Sequence, residues 1–531
     1  MGLEFKTDTS GNPIPRVPEG SSDTKGLLHN SKNEIEVSSE GGALKIITPE
    51  SFGAVGDGTT DDTIAFQDAI NHSAVTKGVV IASKNYLVTK IILPTDSSLS
   101  GNGKIIAYSN LANGGILRSN GQNTNNVSIT DITIDGNRLS QTNNVSGISI
   151  GDGSYDFVID NVTITECSGS GIALGAHDII IKNCDISNTN FNSINAPSTV
   201  TYPIYNIDVL NNKFKLDLSG ISAGCIEFDD GAKDLRIIGN DCIGTEFNEH
   251  LIQVEQLSGG CVIRDNTTDG GSYGIYFGDQ STDGESRSII SGNSCRNAKI
   301  VGIFIQNANG LILDSNIAYF NGNDGIRVST SSTCVLSNNI SYNNGKLNVS
   351  RYGILSSANT NCTLTGNVAY DDQSSKTQSF GIYSTSGSDN TCIGNNSSGN
   401  ITGQANFQET GNTSFGNEGY TRVFLPTSSS WYSEINMEER IRFSEKTLSN
   451  VSSPSLAGGN IFFTGGTNAI FGFSNSLAGQ QFTIIANHNL TIVNGASLIL
   501  SGGVNFDMVI GNAITLFKAN NNIYYEISRN A

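Results

Sequence analysis

Between about residues 145 and 400 the chain repeats one phrase: Gly-Ile-x-apolar, a gap, then an apolar-rich stretch ending in Asn. The phrase opens at Gly147, Gly171, Gly274, Gly302, Gly325, Gly353 and Gly381, with variants at Cys225 and Leu251. Its second half ends at Asn161, Asn183, Asn212, Asn240, Asn266, Asn293, Asn316, Asn339, Asn367 and Asn396, so successive gaps run from 22 to 29 residues. A repeat of that length is the mark of a solenoid, in which neighbouring copies stack. Inside each phrase apolar and polar residues alternate, as in a strand whose side chains point to opposite faces in turn. Short strands parted by Gly, Asn and Ser turns predict a parallel β-helix. The Asn column reads as structural, because stacked Asn side chains hydrogen-bond along a turn.

A solenoid grows by adding coils, so a length of 531 residues does not require several globular cores. The 60 Gly and 9 Pro fit a turn-rich all-β chain. The net charge of −19, with no basic run, repels nucleic acid and anionic membranes, so neither is an expected partner. No stretch approaches the ~18 apolar residues of a membrane span, and the first twenty residues lack the apolar core of a signal peptide. Cysteines number nine. Cys261, Cys334 and Cys362 recur at one place in their coils, and Cys184, Cys242 and Cys295 lie just beyond an Asn. They read as small core side chains in columns. Without CxxC or Cys/His spacing, neither a disulfide framework nor a metal or other cofactor is expected.

Four regions follow. Residues 1–48 are a polar arm with Pro13, Pro15 and Pro18. Residues 49–125 hold a helix and the first coils. Asp57-Gly58 marks a turn, Asp61 or Asp62 can cap the helix, and Ile64, Ala65, Phe66, Ala69 and Ile70 supply its apolar face. Such a helix would cover the open end of the first coil. Residues 126–418 are the parallel β-helix. Its rhythm breaks between Ala173 and Glu227, where one extra coil and an insertion over Asn188–Tyr205 are expected; insertions map to loops on one face, often the binding face. Residues 419–531, with the only Trp at 431, read as a compact sandwich-like β domain.

The segment Ser51–Ile70, containing FGAVGDGTTDDTIAFQDAI, resembles the opening of pectate-lyase-like right-handed β-helices, and above all that of bacteriophage tailspikes and capsule depolymerases. The order of arm, capping helix, β-helix and C-terminal β domain resembles that subset too. The resemblance implies a homotrimer and an arm that joins a virion tail or baseplate protein. It also implies a place on the virion, acting at the bacterial cell surface on capsular or O-antigen polysaccharide. It makes Asp57, Asp61 and Asp62 structural rather than catalytic.

Aligning the coils on the Gly-Ile phrase turns Ile inward and the next residue outward. The first outward column reads Ser149, Ala173, Glu227, Gln253, Tyr276, Phe304, Arg327, Leu355. The second reads Gly151, Gly175, Asp229, Glu255, Gly278, Gln306, Ser329, Ser357. Acids therefore gather mid-face at Glu227, Asp229 and Glu255, the candidate catalytic residues, with Asp230 and Asp279 at strand ends. Coils stack about 4.8 Å apart, and glycoside hydrolysis needs two neighbouring carboxyls, one held protonated by the other. Tyr276 and Phe304 can stack on sugar rings. Gln253, Gln306 and Arg327 can bind hydroxyls or an acidic sugar, and Asp230 and Asp279 complete the candidate binding set. Ordinary solvent-facing residues are the plain alternative, but like charges on adjacent coils repel, which a purely structural surface avoids. Glu227–Asp230 lacks the ligand spacing of a calcium loop. His250, just before its strand, reads as a solvated turn residue.

The acid-rich face points to endo-glycosidic hydrolysis of a bacterial surface polysaccharide. A polysaccharide lyase, working through Tyr276, His250 or Arg327 beside a uronate, is the rival enzyme. A non-catalytic glycan-binding fibre is the rival of another class, and would present the acids on a flat face rather than in a groove.

Overall fold

The computed structural model describes residues 45–531 apart from 152, 197–203, 219, 230, 257–259, 279–287, 349, 408–411, 416, 418–444, 458, 520 and 531; before residue 45 it describes four short strands. The chain divides into two units, 1–426 and 427–531.

The first unit is a parallel β-helix. Three sheets of 15, 14 and 13 strands run its length, and each coil gives one strand to each. One coil shows the pattern: Cys261–Arg264 in the first sheet, Thr267–Asp269 in the second, Tyr273–Gly278 in the third. Every strand pairs in parallel with its counterparts in neighbouring coils, as Ile275 does with Ile252 before it and Ile303 after it. Inward residues of the Gly-Ile strands, including Ile226, Phe228, Ile252, Val254, Ile275, Phe277, Ile303 and Ile305, have no solvent exposure. A single apolar column thus fills the lumen from Ile47 to Phe407. All nine cysteines are buried and free, as the column reading requires.

The helix Thr63–Thr76 buries Phe66, Ala69, Ile70 and Ser73. Ile64, expected on that face, is instead 78% exposed, because positions 66, 69, 70 and 73 already make up the helical stripe. The acids of the opening segment are structural. Asp57 accepts from Thr59 N, Thr60 N and Thr60 Oγ1, which holds its carboxyl far below the usual range. Asp61 accepts from Thr63 N at the helix start, and Asp62 accepts from Val55 N and Gly56 N.

The Asn ladder lies at the turn between the first and second sheets. Each Asn Oδ1 accepts from the backbone N of the Asn one coil earlier, from Asn212 through Asn240, Asn266, Asn293, Asn316 and Asn339 to Asn367 and Asn395. Three positions read from the sequence stand one residue out of register. Asn161 and Asn183 precede the ladder position, which Cys184 fills in its coil, and Asn396 follows Asn395. The expected insertion at 188–205 is also shorter than predicted. Asp185–Thr189 and Ile194–Ala196 are regular strands of the extra coil, and Ile194 pairs with Ile172 and Ile226.

In the second unit a six-stranded mixed sheet and a two-stranded ribbon enclose their own core, with Phe462, Phe482, Ile484, Ile492, Leu498, Ile514 and Leu516 at its centre. Trp431 and most of the N-terminal arm lie outside the described residues. Among the described residues no helix is long and apolar enough to cross a membrane.

Candidate functional site

The third sheet carries the candidate site. Its outward column runs in the predicted register, Glu227–Gln253–Tyr276–Phe304–Arg327. The extra coil adds Asn195 between Ala173 and Glu227. Sequence reading missed Asn195 because its coil opens Ser193-Ile194 instead of Gly-Ile.

Glu227 is fixed between Ile226 and Phe228, both wholly inside the lumen, so the strand has no freedom to turn it inward. Asp229 follows at the strand end, and Glu255 closes the next strand, His250–Glu255. Glu227, Glu255, Glu249, His250 and Gln253 line a cleft of about 460 Å³, whose other wall comes from Asn190, Phe191 and Asn192. Glu227 and Glu255 thus line a cleft rather than a flat face, while Asp229 is not part of its lining. Gly224 is needed at its edge, where a Cβ would stand 2.3 Å from the His250 carbonyl oxygen. Asn192 spans the rim, accepting from Gly224 N at 2.5 Å and donating to Asn195 Oδ1 at 3.1 Å. Asn190, Phe191, Asn192 and Glu249 were not singled out from the sequence, since turn residues carry no periodic signal.

The electrostatics single out Glu227. Burial raises its carboxyl to about 8; the Asp229 charge and hydrogen bond come next, then the charges of Glu255 and Glu249. Glu227 therefore keeps its proton at neutral pH beside other carboxylates, the condition for a general acid.

His250 corrects the expectation of a solvated turn residue. It opens its strand and stacks on Tyr273 at 4.9 Å and 22°, with the Tyr276 ring 4.7 Å away. Burial lowers its imidazole to about 4, against a hydrogen bond that the ring donates to Gln253, so the ring is neutral at pH 7. Tyr273 is a further residue the column reading missed, one step before the Gly-Ile phrase. Phe304 packs against Tyr276 at 5.4 Å and Tyr273 at 5.7 Å, and Tyr276 Oη donates to Gln306 Oε1 at 3.3 Å. These aromatic groups continue the face beyond the cleft.

Arg327 stands four coils from Glu227, roughly 19 Å along the stack at the usual strand spacing. Its guanidinium is tied to the fully buried Asp324 carboxylate and lies 5.5 Å over the Phe304 ring. Asp230 and Asp279 lie outside the described residues. Among the described residues no three of His, Cys, Asp and Glu are placed to hold a metal ion together.

Two family models match: the right handed beta helix region over residues 248–398, and rhamnogalacturonase A/epimerase, pectate lyase-like, over residues 50–117. A capsule K30/K69-specific depolymerase of Klebsiella phage K64-1 is 27% identical over 144 residues, 25% of this chain and 19% of that protein. Alginate lyase 7 of Azotobacter vinelandii is 33% identical over 142 residues, 22% of this chain and 17% of that protein. The chain thus spans about a fifth of the length of these relatives. The crystal structure of pre-mature bacteriophage phi29 gene product 12 superposes with a TM-score of 0.51 at 16% identity, covering 86% of this chain and 64% of that one, a likeness of fold. The three parallel sheets and the two family matches show the fold, a right-handed parallel β-helix whose opening segment is similar to pectate-lyase-like proteins.

Proposed function

We propose that this chain is a tailspike-type depolymerase that cuts a bacterial capsular or O-antigen polysaccharide by endo-glycosidic hydrolysis. The observation that carries the reading is the Glu227 carboxyl, raised to about 8 inside a cleft that also holds Glu255, with Asp229 bonded to it. Glu227 is the proton donor to the leaving glycosidic oxygen. Asp229 or Glu255, on neighbouring rungs, serves as the base that activates water or as the nucleophile. Gln253 and Asn192 meet hydroxyls, and Tyr276 and Phe304 carry the next sugars along the face.

A second reading, β-elimination, is favoured by one contact. The neutral His250 ring lies against Tyr276, a base beside a phenol that could return the proton, and one relative is an alginate lyase. Mass spectrometry of products from capsules of a strain panel separates the two. Hydrolysis adds one water to each cut. Elimination gives an unsaturated, near-ultraviolet-absorbing end and would sink the hydrolytic assignment.

Attachment to a virion tail through the arm and assembly as a homotrimer belong to the same proposal. Phe462, Ile470 and Phe473 of the second unit are buried in its own core. Phe471, Leu477, Val504, Ile510 and Ile527 stay more than half exposed and are the apolar surface a partner copy would cover. Light scattering is expected to give three times the 56.1 kDa of one chain. A mass near a single chain would remove the trimer.

A further inference from the structure

We propose that the cleft takes an uncharged stretch of glycan, so that the sugars on either side of the cut bond carry no carboxylate. This narrows the hydrolase reading and rests on it. The described lining holds Glu227, Glu249 and Glu255 and no Lys or Arg. Its remaining polar side chains, Asn190, Asn192, Ser222 and Gln253, are neutral amides and a hydroxyl, groups that match sugar hydroxyls and acetamides. Phe191 is 47% exposed at the wall and offers a ring to a sugar face. His250, the one basic group in the lining, is held uncharged by burial.

A uronate carboxylate entering this space would meet acids and find no counter-charge. A charge taken from water without a partner is costly, and like charges add to that cost. The one arginine of the outward column below the acids, Arg327, is four coils away and bound to Asp324. The undescribed stretches of sequence that follow strands of the third sheet do not mend the balance. Segments 197–203 and 257–259 contain no Lys or Arg, and 279–287 has three acids to one arginine. Alginate is a polyuronate, so the cleft departs here from what the alginate lyase relative's name says it acts on.

Two measurements on the full chain test this. In the first, a capsule polysaccharide that the chain cuts is treated to reduce any carboxyl groups to primary alcohols. Cleavage is expected to persist with kcat/KM within about threefold, and a loss of about tenfold or more overturns the inference. In the second, the chain is run at low salt through gels containing alginate. Unchanged mobility is expected; retardation that salt abolishes overturns the inference, whether or not a capsule of the panel is cut. The outcomes stay separable from the hydrolase reading. Hydrolysis beside a uronate sinks the inference and keeps that reading. An uncharged chain cut at the wild-type rate by the Glu227→Gln variant sinks that reading and keeps the inference.

Discussion

Glu227→Gln is expected to lower kcat on the cleaved polysaccharide by on the order of 10²-fold or more, the scale of a lost general acid. The amide keeps the size and hydrogen-bonding reach of the side chain but cannot give up a proton to the leaving oxygen. The strand holding it is fixed by Ile226 and Phe228 inside the lumen, so the coils stay in place. The same variant carries a second signature. In the folded chain the Glu227 carboxyl titrates near 8, against an ordinary 4.5. Between those values the unfolded chain has lost a proton that the folded chain keeps. The contribution of this group to stability is full below pH 4.5 and falls as pH rises to about 8. Glu227→Gln removes that slope. The variant should match wild type in acid and unfold more slowly than wild type near pH 8. Wild-type kcat/KM should fall above that pH, as the acid loses its proton. Unfolding rates in denaturant at both ends of the window, with rates of cleavage beside them, check all three. A variant with wild-type turnover, or one less stable at high pH, removes Glu227 from the role.

The outward column was legible because strand periodicity is two and Gly-Ile marks the same point in each coil. Once the phase is known, Glu227, Gln253, Tyr276, Phe304 and Arg327 must share a face, and the register of the third sheet places them so. The Asn ladder was legible only to within one residue, and the reason is physical. Two adjacent positions in each coil favour Asn. One adopts a left-handed backbone, as at Asn161, Asn183, Asn211 and Asn338, with φ of 54° or 55°. The next buries its amide in the ladder, as at Asn212 and Asn339. A single Asn in a coil does not say which position it fills. The cleft was the least legible part. Its wall at Asn190, Phe191 and Asn192 comes from the turn of the preceding coil, which no alternation marks, and the burial of His250 depends on Tyr273 and Tyr276 from the following coil.

The ladder also carries the largest expected effect on stability. Asn293 has no solvent exposure. Its Oδ1 accepts from Asn266 N at 3.0 Å and Asn266 Nδ2 at 2.9 Å, while its Nδ2 donates to Ile263 O and Asn316 Oδ1, both at 2.9 Å. Asn293→Ala strips the ladder partner from Asn266 N and from the Ile263 carbonyl and takes one of two bonds from Asn266 Nδ2, which still donates to Ile237 O, all in a stack that excludes water. Asn316 Oδ1 loses less, because it still accepts from residue 293 N. Each orphaned buried group costs about 1–3 kcal/mol, so a loss of about 3–5 kcal/mol is expected from this one residue, far above the effect of removing its few atoms from van der Waals contact. In a solenoid every coil contacts only its neighbours, so the damage opens the stack at coil 266–293 and speeds unfolding from there. Ser398→Ala, on an exposed strand position, is the matched control and should change stability by less than about 0.5 kcal/mol. Unfolding rates of the two variants in denaturant, with hydrogen exchange at Ile263 and Asn266, read the outcome. A cost below about 1 kcal/mol for Asn293→Ala would mean that water enters the stack and takes over the lost bonds, and the ladder would then set the register of the coils without holding them together.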